Sequence, residues 1–491
     1  MRFKAILTIA IVLAIAVVYC FLFFGGFAGP SDACDYAGLA ANLIKGHGFI
    51  INHIYPLSLV FTPSNPQPNS LWAPGFPIYL AAVFSVLGSH DYSVVIANLI
   101  CLLAILITGF VLAKKHFDFK TGLVFVILMG VNQAIFVNII EGMPEMLAGA
   151  LLLLSIALMR DNYRGVMVSG IFAGLAILTR YQIVVLLPIY WVFFKKFDKK
   201  IVIFLSVVVL TCLPWLIRNL IVFGDPMFTL QRFGEFSKGA GFGNDYYYTY
   251  RSLEPTTLFD LLTKAPMVIV KKLVVGVIYF LSRIPEHFNA FGIILVVLGF
   301  IGMRHNDNTR PLVKFVLIGL AVYILFCSLD GHHRRHLLIF SPLLMLIAAY
   351  GFMELKRLFG IEKKTIFTGV LLLLFLIPTR FPEQEQAFKN FRPVVKGQIK
   401  NYRLIAASLP TNSLVASDAS DALWWYGGLN SVWLPINYAA LAKADSMVGI
   451  GAIYLKNRDW LNEFSENEKA TFFSQYPKIV NYPDSSILFY K

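Results

Sequence analysis

Asp32-Ala33-Cys34-Asp35-Tyr36 stands just past the first apolar run of the chain, which ends at Phe24. An ionisable side chain at the end of a membrane helix is costly unless it is solvated or paired, so two carboxylates and a tyrosine here mark a candidate functional site. The competing reading is that Asp32 or Asp35 only caps a helix that begins at this point. Which one holds depends on what the rest of the chain brings to the same membrane level.

The chain has 491 residues, 57% of them hydrophobic and 14% charged, with a mean hydropathy of +0.68. Soluble domains carry roughly 25% charged residues, so the composition is that of an integral membrane protein with several spans. The net charge of +14 does not signal nucleic-acid binding, because the basic residues fall in short clusters between apolar runs, the positive-inside pattern. Cys20, Cys34, Cys101, Cys212 and Cys327 are too scattered for a disulfide framework or a zinc motif. The first apolar run is about 20 residues long and Gly25-Gly26-Phe27-Ala28 is a poor cleavage site, so it reads as a retained anchor rather than a secretory signal.

Candidate spans are 5–24, 92–113, 119–139, 145–159, 165–179, 181–194, 200–222, 287–303, 314–329, 336–353 and 365–379. With about eleven spans, the clusters Arg2/Lys4, Lys114/Lys115/Lys120, Arg160/Arg164, Lys195/Lys196/Lys199/Lys200, Arg304/Arg310 and Lys356/Arg357/Lys363/Lys364 share the cytoplasmic side. The loops 25–91, 140–144 and 223–286 and the turn at 330–335 then lie outside. Residues 75–88 are short for a span, and 267–282 carry Lys271-Lys272 mid-segment, so both read as helices along the outer membrane surface. The tail 380–491 is more polar and also outside. Strand-like runs at Ser413–Ser417, Ser431–Leu434, Val448–Tyr454 and Ile487–Tyr490 alternate there with helical patterns at 394–408 and 458–474, a small α/β domain. The fold class is therefore mainly α, with juxtamembrane helices and a small extracytoplasmic α/β domain after the membrane part at 1–379.

That topology gathers polar groups at one level: Asp32, Asp35 and Tyr36 from the first loop; Glu141 and Glu145 around Met143-Pro144; Arg180 and Arg218 near span ends; and Asp330-Gly331-His332-His333-Arg334-Arg335-His336 in one turn. A hydroxyl acceptor needs a general base within about 3 Å, and a phosphate leaving group needs cationic donors, which arginine supplies bidentately. Each group has a plainer reading. Arg180 and Arg218 could snorkel to the interface, and Glu141 could mark a solvated helix end. His332 and His336 have metal-pair spacing, but a basic turn facing phosphate or water is preferred. No metal ligand is assigned, and a divalent cation stays open as a cofactor. Trp424-Trp425-Tyr426 could stack on a sugar, though such runs are more often core. Asp245 to Arg251 reads equally as an interfacial aromatic belt.

These residues resemble the GT-C superfamily of membrane glycosyltransferases, on the branch of the lipid A aminoarabinose transferases and protein O-mannosyltransferases. The resemblance covers nearly the whole membrane part. It rests on Asp32-x-x-x-Tyr36 followed by Leu39-Ala40-x-Asn42-Leu43, then Gly46-His47-Gly48-Phe49 and Ala73-Pro74-Gly75-Phe76-Pro77. It continues through Met143-Pro144-Glu145, Leu178-Thr179-Arg180-Tyr181, Pro214-Trp215-Leu216-Ile217-Arg218-Asn219 and Arg335-His336. It implies inverting transfer of a sugar from a polyprenyl-phosphate carrier to a lipid, glycan or protein acceptor on the outer side, in the inner membrane of a bacterium. Asp32 would be the general base and Glu145 the second acid of the site. Asp35, Tyr36, Glu141, Arg180, Arg218, His333, Arg334 and Arg335 would bind substrate, Arg335 and Arg334 at the carrier phosphate. One departure is Leu71-Trp72-Ala73, where relatives often have a basic residue.

A transporter or lipid-carrier flippase is the main rival, and an envelope scaffold a third reading. A transporter predicts interrupted helices and acids near the bilayer midplane, whereas the acids here lie in an outer loop and at helix ends.

Overall fold

The computed structural model describes residues 2–24, 31–194, 198–238, 248–304, 307–330, 333–360, 396–410, 412–456, 458–482 and 484–491. Its apolar runs are helical, because without water every backbone N–H and C=O must be paired inside the segment. Among the described residues five helices are long and apolar enough to cross a membrane: Phe3–Phe23, Asp91–His116, Lys199–Phe223, Arg310–Leu329 and Arg334–Leu358. Two bent pairs, Phe119–Gly130 with Gln133–Glu141 and Leu258–Lys264 with Pro266–His287, bring the number up to seven if each pair is counted as one span. The protein is a mainly α, multi-pass membrane protein with a small α/β region at its C-terminal end.

Several expected spans are shorter than a bilayer. Glu145–Leu158, Tyr163–Thr179 and Ala290–Met303 have 14, 17 and 14 residues; at about 1.5 Å per residue they rise ~21–26 Å, against a hydrocarbon core of about 30 Å. The run at 181–194 is a tight 3-10 helix, Tyr181–Phe193, with Pro188 inside; at about 2.0 Å per residue it reaches ~26 Å. The span expected at 365–379 and the domain boundary near 380 lie outside the described residues.

The span expected over 119–139 breaks at Val131 with a 54° bend. Asn132 explains the break: its Oδ1 caps the second helix by accepting from the Ile135 N–H, and its Nδ2 donates to the His287 carbonyl at 2.9 Å. The surface helix expected at 267–282 is Pro266–His287, turned by 113° from Leu258–Lys264. Lys272 in it is 4% exposed and does not reach water. Its ammonium donates to the carbonyls of Phe236 (2.7 Å), Lys238 (2.8 Å) and Glu235 (3.3 Å), closing the loop before it.

The first loop begins with the helix Ser31–Ile44 and continues through β1 (Ile50–Ile51), β2 (His53–Ile54) and β3 (Gln67–Pro68) to the surface helix Gly75–Leu87. The C-terminal region supplies β4 (Leu414–Ser417), β5 (Asn430–Trp433), β6 (Ala452–Leu455), β7 (Lys478–Asn481) and β8 (Ile487–Tyr490). The six-stranded order is β2-β5-β4-β6-β8-β7, with β2 parallel to β5. The first loop thus provides an edge strand of the sheet, which the division of the sequence at 380 did not foresee. The helices Ser420–Gly427 and Tyr438–Val448 were also not expected; the second runs to Gly449 (φ 69°) and delays the strand expected at 448 to β6.

The aromatic run 424–426 lies at this junction. A Cβ on Gly38 would come within 2.4 Å of the Trp424 ring, so only glycine lets that ring lie on the first-loop helix.

Candidate active site

Helix Ser31–Ile44 opens with Asp32 in its first turn, where a carboxylate complements the positive end of the helix dipole. Residues four apart share a helix face, so Asp32 and Tyr36 point the same way. Arg335, in the tight turn that begins the last described span, engages the Asp32 carboxylate through Nη2 and stands with Nε 3.4 Å from Glu145 Oε1. Glu145 is the first residue of its helix, follows Pro144, and has a fully buried side chain. Arg180, 5% exposed at the end of Tyr163–Thr179, reaches the same Oε1 at 3.0 Å, and Asn138 Nδ2 donates to Oε2 at 3.4 Å.

The result is a chain of alternating charge, Asp32–Arg335–Glu145–Arg180, drawn from four segments. Tyr36 lies in the field of all four and is packed by Trp72 and Phe76, with ring centroids 4.8 and 5.3 Å away. Glu141 ends its helix before the left-handed Gly142 (φ 70°) and sits in the field of Arg334 and Arg335.

Burial pushes the Asp32 carboxyl up, but Arg335, with Lys238 adding to it, outweighs burial and holds the group below the usual carboxylate range. His333 goes the other way. Burial, Arg335 and Lys238 depress its imidazole, leaving it neutral beside Asp32.

Lys238 and Glu235 escaped the sequence reading. They form an ion pair at 2.8 Å, with Tyr250 donating to the same Glu235 oxygen at 2.8 Å. Burial and the neighbouring Asp330 push the Glu235 carboxyl up to about 7. No motif carries either residue; only the placement of 235–238, in the field of Asp330, Asp32 and His333, reveals them. Of the aromatic run expected at 245–251, Arg251 donates to the Leu434 carbonyl at 2.7 Å and so faces the sheet.

Two expected substrate-binding residues stand elsewhere. Asp35 is 0% exposed and accepts from Tyr55 Oη (2.7 Å) and Trp72 Nε1 (2.9 Å), while His53 Nδ1 lies 2.8 Å away. His53 Nε2 in turn meets Ser420 Oγ at 2.9 Å. Ser420, His53 and Asp35 have the hydrogen-bond order of a hydrolase triad, but they are 1%, 2% and 0% exposed. No substrate reaches them, so this is a joint between the first loop and the sheet domain. Trp72, within the Leu71-Trp72-Ala73 departure, serves that joint. Arg218 donates to the Asn69 carbonyl at 2.8 Å and lies 4.7 Å from the Trp215 ring, fastening the first loop to Lys199–Phe223 rather than joining the cluster. Arg334, its side chain 42% exposed, has Glu286 Oε2 3.7 Å from Nη1.

His332 lies outside the described residues. Among those described, no three His, Cys, Asp or Glu side chains converge as a cation site, and Asp32 is engaged by Arg335.

The same helix arrangement recurs in solved membrane glycosyltransferases. ArnT from Cupriavidus metallidurans bound to undecaprenyl phosphate matches with a TM-score of 0.61 at 12% identity, over 99% of this chain and 97% of that one. This is the GT-C fold. The archaeal oligosaccharyltransferase AglB from Archaeoglobus fulgidus, in complex with an inhibitory peptide and a dolichol-phosphate, matches with a TM-score of 0.61 at 12% identity, over 99% of this chain and 74% of that one. Residues 69–217 match the family model of dolichyl-phosphate-mannose-protein mannosyltransferases. No curated protein matches the sequence. Within the GT-C fold, the matched 69–217 segment holds Glu141, Glu145 and Arg180, while Asp32 and Arg335 come from outside it.

Proposed function

We propose that this protein is an inverting glycosyltransferase that moves a sugar from a polyprenyl-phosphate carrier to a lipid, glycan or protein acceptor on the outer side of a bacterial inner membrane. The observation that carries the reading is Arg335 held between Asp32 and Glu145.

Asp32 takes the proton of the acceptor hydroxyl. The acceptor oxygen bonds to the anomeric carbon from the face opposite the phosphate, and the carbon–oxygen bond to phosphate breaks with its electron pair on the leaving oxygen. Arg335 and Arg180 face the charge that develops there, in a water-poor site where fixed cations act most strongly. Most of the work left to the protein is positioning. In the resting site Asp32 is a weak base because Arg335 holds it. A donor phosphate competes for the same guanidinium, and Asp32 is released as a base when the donor is seated.

A cavity of about 620 Å3 supports a route for the carrier. Gln182, two residues beyond Arg180, lines the cavity beside Asp330, to which its Nε2 donates at 3.0 Å, and Val184, Met227 and Phe326 supply apolar lining. The carriers in the ArnT and AglB structures, undecaprenyl phosphate and a dolichol-phosphate, suggest the same class of donor lipid here.

The test is mass spectrometry of polyprenyl-phosphate sugars in cells lacking the protein. A glycosyltransferase predicts that one such lipid accumulates and that one glycosylated product disappears. Unchanged lipid and product pools would reject the proposal.

A further inference from the structure

A second cavity, of about 460 Å3, opens where the first-loop helix meets the sheet domain. The carboxylate in its lining is Asp91, whose Oδ1 accepts from Trp425 Nε1 at 2.7 Å and Oδ2 from Tyr426 Oη at 3.2 Å. Lys45, His47, His90 and Arg403 line it as exposed side chains from three segments. Two full cations and two imidazoles therefore face a space whose own carboxylate is already engaged. That imbalance favours an anion.

The rest of the lining adds a shape. Trp424 is seated on Gly38, and Trp425 stacks on Phe84 at 6.3 Å and 23°. The Asp91 bonds fix Trp425 and Tyr426 further, so the aromatic wall is set before any ligand arrives. One turn along the helix from Gly38, Asn42 Nδ2 donates to Asn52 Oδ1 at 2.9 Å, and Asn52 Nδ2 to Asn430 Oδ1 at 2.7 Å. A fixed aromatic wall suits the C–H face of a pyranose, side-chain amides suit its hydroxyls, and the cationic rim suits an attached phosphate or carboxylate.

We infer that this junction is a binding site for an anionic saccharide, separate from the acid–arginine cluster. Gly38 lies six residues beyond Asp32, ~9 Å along the helix and about 120° around it, so the helix itself stands between the two sites. The inference does not rest on the transfer reaction.

The test is calorimetric titration of the full-length protein in phosphatidylcholine nanodiscs with glucose 6-phosphate, glucose and inorganic phosphate. Saturable binding of glucose 6-phosphate is expected, at least tenfold tighter than either fragment. It should survive Asp32→Asn and weaken at least tenfold in the Lys45→Gln/Arg403→Gln double variant, whose exposed positions leave folding intact. Absence of saturable binding, equal affinity for inorganic phosphate, or no effect of the double variant would overturn it. So would loss of glucose 6-phosphate binding when the nanodiscs contain phosphatidylglycerol, which would make this a lipid headgroup site.

Discussion

Arg335 bridges Asp32 and Glu145, engaging the first through Nη2 and standing 3.4 Å from the second through Nε. A planar guanidinium can serve two carboxylates at once, whereas a lysine ammonium is a point charge on a flexible stem. Arg335→Lys should therefore lower kcat/KM for transfer roughly 100-fold, about the loss of one well-placed transition-state donor. Steady-state kinetics with donor varied checks this.

Asp32 is held low by Arg335, so the wild-type rate should stay flat through neutral pH and fall only below the ordinary carboxylate range. Removing the guanidinium raises the carboxyl's pKa, because burial is then less opposed. In Arg335→Gln the acid limb of the kcat/KM profile should move to higher pH. An unmoved limb would mean that Asp32 is not the titrating base.

Glu145 is buried between two arginines. Glu145→Ala takes the buried carboxylate from Arg180 and leaves Arg335 with Asp32 alone, and breaking a buried pair in this way costs about 3–5 kcal/mol. A clear drop in melting temperature is expected, larger than for Arg334→Ala, whose side chain is 42% exposed.

Asp35, His53 and Ser420 join the helix that carries Asp32 to the sheet domain. His53→Ala should loosen that joint without touching the acid–arginine chain. Limited proteolysis should then release the C-terminal region faster, and kcat should fall while the donor KM changes little.

Glu235 has a carboxyl raised to about 7, above its unfolded value of about 4.3. The folded state then binds more protons between those values. Its contribution to stability is full below the lower one and lost as pH rises through the upper one. Melting temperatures measured from pH 4 to 8 should decline over that window in the wild type and decline less in Glu235→Gln.

Parts of this arrangement can be read from the chain alone because membrane burial leaves few choices. Asp32, Glu145, Arg180 and Arg335 each lie at the end of an apolar run, and the basic clusters lead the sequence reading to expect them at one level, where the structure joins them. Asp35 is different. It is as conspicuous in sequence as Asp32, but its partners His53, Tyr55 and Trp72, with Ser420 behind His53, are fixed by how a loop folds and how a distant domain docks. The break at Val131 depends on Asn132 capping a helix inside a run that reads in sequence as one span. β2 is two residues long, too short for any alternation to show. Lys238 sits in a loop without periodicity, and only its fold brings its charge to bear on His333 and Asp32.

The most direct measurement is sugar transfer by purified Asp32→Asn protein, with carrier binding followed in the same preparation. Transfer should fall by roughly 100-fold or more, the scale of a lost general base, while the polyprenyl-phosphate carrier still binds. Transfer at the wild-type rate would contradict the account.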